Sequence, residues 1–152
     1  MQRYAHFLII LPIVLLDRWT KVLVVDRIPF RGELPVFSWF SIVHWHNMGG
    51  LFGFLSNHSA GRYVFLIIPI VIMAALGYYL VAYRHSLWSR LGLTLVLSGA
   101  IGNMYDRIVF GYVVDFLDVF YRGFHWPAFN VADSAISVGI GLWLFSQLFC
   151  EP

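Results

Sequence analysis

Residues 63–83 read YVFLIIPIVIMAALGYYLVAY, an apolar run without a charged side chain. A helix needs about 20 predominantly apolar residues to cross the hydrocarbon core of a bilayer, and this run supplies them. Pro69 lies in its first part, where neighbouring groups in a packed membrane bundle can satisfy the carbonyl it frees. Residues 129–149 form a second such run, apolar except for Asp133 near its start. Two further stretches, about 4–25 and 91–108, carry charge toward one end: Asp17, Arg18 and Lys21 in the first, Asp106 and Arg107 in the second. The expected fold class is a membrane α-helical protein: a single integral domain, 1–152, with four transmembrane helices.

Composition agrees with this reading. Of 152 residues, 60% are hydrophobic and 12% charged, against about 25% charged in a soluble domain. The net charge of +2 comes from scattered basic residues, so no nucleic-acid footprint is visible. The lone cysteine, Cys150, excludes an intramolecular disulfide and a thiolate metal cluster. Arg3 and the apolar run after it could suggest a cleaved leader. Asp17-Arg18-Trp19 follows instead of a small-residue cleavage pattern, so the first helix is expected to be retained.

Arg84, His85 and Arg90 join the second and third runs with no acid among them, which makes that loop cytoplasmic by the positive-inside bias. Four spans then place both termini in the cytoplasm. The Asp17 end of the first span, the Asp106–Arg107 end of the third and Asp133 all collect near the outer interface.

Residues 26–62 differ in character. Pro29, Gly32 and Pro35 break the chain, and Val36 to Asn47 then alternates, with Phe37, Trp39, Val43 and Trp45 on one face and Ser38, His44 and His46 on the other. Period two with aromatic and β-branched residues argues for a strand. A small extracytoplasmic β-rich module, about 30–56, is expected between helices 1 and 2. Gly49, Gly50 and Gly53 suggest a backbone that bends or admits a ligand closely. His44 and His46 lack a third clustered ligand, so no metal is expected.

An ionisable side chain at membrane depth costs roughly 2.5–3.5 kcal/mol and is rarely idle. Asn103, Asp106 and Arg107 share a helix face at spacings of three and four, as do Asn130 and Asp133. Ser98, Gly99 and Gly102 would let a neighbouring helix approach closely. Asp17 and Lys21 are spaced as a supporting ion pair. Asp115 is embedded in apolar sequence upstream, joined to Asp133 through a loop-like stretch containing Asp118, Arg122, Gly123, His125 and Pro127. If Asp115 and Asp133 face each other, they share a proton and can activate water. If they pair with Arg107 or Arg122, they are structural. A small proton-coupled carrier would also use membrane acids, distributed across the bilayer and usually within an internal repeat; no repeat is visible.

Five pieces in fixed order carry a family resemblance: Asp17-Arg18-Trp19-Thr20-Lys21, Asn47-Met48-Gly49-Gly50-Leu51-Phe52-Gly53, Gly99 to Arg107, Gly111 to Phe116, and Phe129 to Ile136. The chain resembles the bacterial lipoprotein signal peptidases, also called signal peptidase II, a family of intramembrane aspartic peptidases. The resemblance implies that Asp115 and Asp133 are the catalytic pair. It further implies that Asn47, Gly49, Asn103, Arg107 and Asn130 line the substrate site, with Asp17 and Asp106 as supports. The implied substrate is a prolipoprotein carrying diacylglyceryl on the cysteine after the cut. Also implied are no metal or organic cofactor, inhibition by cyclic peptide antibiotics such as globomycin, and residence in the bacterial cytoplasmic (inner) membrane. Membrane lipid is an expected partner, and the chain is expected to act as a monomer. One departure is plain: Gly50 and Leu51 stand where the family usually has two alanines, which puts the local loop shape in question.

Overall fold

The computed structural model describes residues 2–49 and 59–150. The Gly50–Leu51 departure and Gly53 lie outside these residues. A stretch wound as 3-10 helix, Gln2–Ile9, leads into α1 (Ile10–Arg27). Strands β1 (Glu33–Phe37) and β2 (Phe40–Asn47) follow, then α2 (Ser59–Ala82) and α3 (Leu87–Val109). Strands β3 (Val113–Tyr121) and β4 (Phe124–His125) precede α4 (Val131–Phe149).

The bundle is inside-out by the standards of a soluble protein. Its largest fully buried side chains include Lys21, Asn130, Thr94, Asp17 and Asp106, while Leu8, Leu11, Ile67, Val71 and Leu148 face outward. Water as surrounding solvent would favour the reverse. Among the described residues, Val131–Phe149 is long and apolar enough to cross a membrane on its own, and Leu66–Ala82 is a shorter apolar helix. The other two helices carry the buried charges on their inner faces.

Helices α3 and α4 form the most extensive interface. Small residues make it possible: a Cβ added to Gly92 would lie 2.6 Å from the carbonyl oxygen of Gly139. Gly102 admits α1 in the same way, since a Cβ there would lie 2.9 Å from Asp17 Oδ2. The close approach expected around Ser98, Gly99 and Gly102 is therefore present.

The sheet departs from expectation in its extent, in its turn and in its register. It is not confined to the segment between helices 1 and 2, because its order is β1-β2-β3-β4 and the second half lies between α3 and α4. A strand, Val113–Tyr121, extends into the stretch expected to be loop-like, and it is rich in the β-branched and aromatic residues that suit a pleated surface. The single alternating strand expected over Val36–Asn47 is instead a hairpin, turning at Ser38 and Trp39 with Phe37 opposite Phe40. Pro35, which cannot donate to a ladder, sits on the edge strand. A register shift between Ile42 and Trp45 also breaks the expected alternation. Val43 is buried while Phe37, Trp39 and Trp45 are exposed.

Candidate active site

The sheet sits where α1 and α3 finish and α4 begins, and the polar side chains meet there. The polypeptide leaves α3 through Gly111, which has φ +82°, and enters β3. Asp115 pairs in register with Trp45 of β2, and Val113 with Asn47. The chain then returns on itself. The amides of Phe116 and Leu117 both donate to the Phe129 carbonyl, at 2.9 and 2.8 Å, and the Phe129 amide donates to the Leu117 carbonyl at 3.1 Å. This bridge brings Asn130, the N-cap of α4, against Asp115.

Asn130 is fully buried and touches both acids. Its Nδ2 donates to Asp115 Oδ1 at 2.7 Å, with longer contacts to Asn103 Oδ1 at 3.2 Å and the Val114 carbonyl at 3.3 Å. Its Oδ1 accepts the Asp133 amide at 2.9 Å, while its own amide donates to Asp133 Oδ2 at 3.2 Å. The reciprocal pair is a capping box. Asn103 completes the ring, donating Nδ2 to Asp133 Oδ1 at 2.8 Å. On the strand side, Asn47 Nδ2 donates to Asp115 Oδ2 at 3.0 Å, and its Oδ1 accepts the amide of Gly49 at 2.9 Å. Gly49 has φ +90°, a left-handed conformation that suits glycine. Its amide holds the Asn47 side chain that meets Asp115.

Beneath this ring lies a charge cluster. Lys21, with no exposed surface, places Nζ 3.0 Å from Asn103 Oδ1, 2.8 Å from Asp17 Oδ2 and 2.9 Å from Asp106 Oδ2. Asp17 Oδ1 accepts the Ala132 amide at 2.9 Å, tying α1 to the first turn of α4. The expected Asp17–Lys21 pair is present and extends to Asp106.

Among the described residues, neither Asp115 nor Asp133 makes an ion pair with Arg107 or Arg122. Arg107 instead lies within electrostatic reach of Asp133, Asp115 and Asp106, and its Nε is buried without a hydrogen-bond partner. Asp115 lies on β3, outside the helices, and its carboxyl is pushed up to about 6. Burial is the main cause and the charge of Asp133 adds to it, against the amides of Asn47 and Asn130. A carboxyl in that range exchanges its proton near neutral pH, which general acid–base chemistry requires.

A cleft of about 540 Å³ opens from Asp115 across the sheet, reaching Arg31, Glu33, His46, Asp118 and Trp126. His46 contacts His44, Nε2 to Nε2 at 3.1 Å, and stacks on Tyr112 at 3.7 Å. No group of three metal-ligating side chains forms among the described residues.

The chain matches the family model for signal peptidase II over residues 9–149. It is 44% identical to the lipoprotein signal peptidase of Syntrophotalea carbinolica, over 96% of this chain and 94% of that one. With the lipoprotein signal peptidase of Geobacter metallireducens it shares 42% identity, over 91% and 88% of the two chains. The chain belongs to the signal peptidase II family. Two solved structures of a bacterial membrane enzyme superpose on it. One has TM-score 0.86 at 29% identity, covering 95% of this chain and 93% of that one. The other has TM-score 0.84 at 31% identity, covering 94% and 87%. A signal peptidase II is a peptidase of lipoprotein processing and works at a membrane, so this chain is a membrane peptidase.

Two features of the peptidase escaped the sequence reading. Arg18 reaches Asp106 Oδ1 at 3.4 Å while its guanidinium lies 4.8 Å from the ring centre of Phe110. Its spacing of three from Lys21 on one helix was a usable signal. Asp118 binds His125 Nδ1 at 2.9 Å inside the cleft. Only recognising Val113–Tyr121 as a strand would have placed Asp118 there.

Proposed function

We propose that this signal peptidase II is an aspartic endopeptidase. It removes the signal peptide from diacylglyceryl-modified prolipoproteins, cutting before the lipidated cysteine. The observation that carries this reading is Asn130: one buried amide side chain contacts Asp115 Oδ1 and the backbone of Asp133, linking two carboxyl groups from separate elements.

Asp115 and Asp133 hold one proton between them. The ionised member takes a proton from water as its oxygen attacks the scissile carbonyl carbon. The protonated member hydrogen-bonds the carbonyl oxygen and then gives its proton to the cysteine amine as the C–N bond breaks. Water thus adds hydroxyl to the signal peptide and hydrogen to the mature lipoprotein. Asn47, Gly49, Asn103 and Asn130 orient the pair, and the unpartnered Arg107 Nε is available to a substrate carbonyl. Asp17, Lys21 and Asp106 fix the helices beneath. The peptide beyond the cut runs into the cleft over the sheet, and globomycin-type cyclic peptides compete for the same surface.

The inside-out burial supports four membrane-spanning helices in the bacterial inner membrane, with both termini cytoplasmic and the acids near the outer face. At that depth the diacylglyceryl chains stay in lipid while the scissile bond meets Asp115 and Asp133. A single chain supplies every residue of the proposed site, which supports a monomer. Purified protein in lipid should cleave a lipidated precursor and leave its unlipidated counterpart intact. Equal cleavage of both would rule out lipid as the anchor, and cleavage of neither would rule out the function.

A further inference from the structure

The end of the bundle opposite Asp115 and Asp133 carries a second cavity, of a different chemical kind. It measures about 260 Å³, lies where α2 passes into α3, and is lined by Leu80, Tyr83, Arg84, His85 and Arg90. The acids among the described residues belong elsewhere: Asp17, Asp26 and Asp106 on α1 and α3 toward the sheet, Glu33, Asp115 and Asp118 on strands, and Asp133 at the start of α4. The first turn of α3 contains no acid either. Neither Arg84 nor Arg90 forms a salt bridge among the described residues, and the Nε of Arg90 is buried without a hydrogen-bond partner. A buried guanidinium N–H left unpaired is unfavourable, so the site is short of an acceptor.

The surroundings indicate which acceptor fits. His85 Nε2 lies 3.0 Å from the Tyr79 carbonyl, and the two rings are 4.5 Å apart, which holds the turn in place. Tyr83, in the cavity lining, and Trp88, in the first turn of α3, are both exposed, as aromatic side chains are at headgroup depth. Val81, in the last turn of α2, and Leu87, at the start of α3, are exposed apolar surface at the same end of the bundle. A charged pocket flanked by apolar surface suits a ligand with an anionic head and hydrocarbon chains. Guanidinium groups match phosphate oxygens in geometry as well as charge.

We propose that this cavity binds the phosphodiester headgroup of an anionic phospholipid, with Arg84 and Arg90 on its phosphate oxygens. Its acyl chains lie along Val81 and Leu87. Basic pockets between membrane helices on the cytoplasmic side take anionic headgroups by the same chemistry. The depth of the site rests on the membrane-spanning reading above, but the test in detergent does not depend on which face it occupies.

The full-length protein in a neutral detergent is titrated with phosphatidylglycerol, phosphatidylcholine or inorganic phosphate, following melting temperature and lipid retention by native mass spectrometry. Phosphatidylglycerol is expected to raise the melting temperature by several degrees more than phosphatidylcholine and to remain bound. The double variant Arg84→Gln/Arg90→Gln should bind it about tenfold more weakly or worse while cleaving lipidated precursor normally. Arg84 is exposed, so Arg84→Gln alone should fold and show a smaller loss. Equal response to the two lipids, undiminished binding in either variant, or the same stabilisation by inorganic phosphate alone would each overturn the proposal. Loss of cleavage by wild-type protein would instead count against the peptidase assignment.

Discussion

Asp115 is 4% exposed and accepts amide hydrogen bonds on both carboxyl oxygens, yet its ordinary value of 3.8 rises to about 6. Two good hydrogen bonds therefore do not offset burial beside a second acid. The folded chain binds this proton more tightly than the unfolded chain does. The Asp115 contribution to stability is thus most favourable below pH 4 and declines as pH rises through 6. The decline amounts to roughly 3 kcal/mol, since one pKa unit corresponds to about 1.4 kcal/mol. In Asp115→Asn that contribution to the pH slope should vanish; unfolding in detergent at pH 4 and pH 7 measures the difference. In the proposed mechanism the same titration also governs activity. The shared proton is lost as pH rises through about 6, so kcat/KM of the free enzyme should fall over that range.

At the scale of elements, Asn130 has two jobs with separable readouts. It caps α4 reciprocally with Asp133 and it bridges to Asp115. Asn130→Ala should lose about 0.5–2 kcal/mol for the cap. Asn130→Ser keeps a capping oxygen but not the Nδ2 donor, so it should recover stability without recovering full activity. Asn130, Asp133 and the small-residue face of α3 were legible in the sequence because helical spacing of three and four brings such residues together. The partner of Asp115 was not. Nothing local announces that Leu117 will bridge Phe129, a contact made by backbone groups that every residue carries. The hairpin turn at Ser38–Trp39 was missed because alternation continues across it, and the bulge before Trp45 then turned His44 inward and Trp45 outward. In the other direction, the buried position of Lys21 could not be read from Asp17 and Lys21 alone, since Asp106 arrives from another helix.

For the molecule as a whole, polar groups are gathered at the two ends of an apolar bundle. The buried carboxyl groups, with Arg18 and Arg107 among them, occupy the sheet end, while Arg84 and Arg90 lie at the other. Cys150, the sole cysteine, is exposed at the C-terminal end of α4 and serves as a natural probe of orientation. In intact spheroplasts it should resist a membrane-impermeant maleimide and react once the membrane is opened. Ready labelling in intact spheroplasts would invert the topology and place Asp115 and Asp133 on the cytoplasmic side. Asp115 and Asp133 are proposed to act together. The most direct measurement is single-turnover cleavage of a diacylglyceryl-modified precursor by Asp115→Asn and Asp133→Asn, each checked for wild-type-like folding. Both should lose at least about a thousandfold in rate, because neither a lone base nor a lone acid completes the proton cycle. Turnover within a few-fold of wild type by either folded variant would contradict the account.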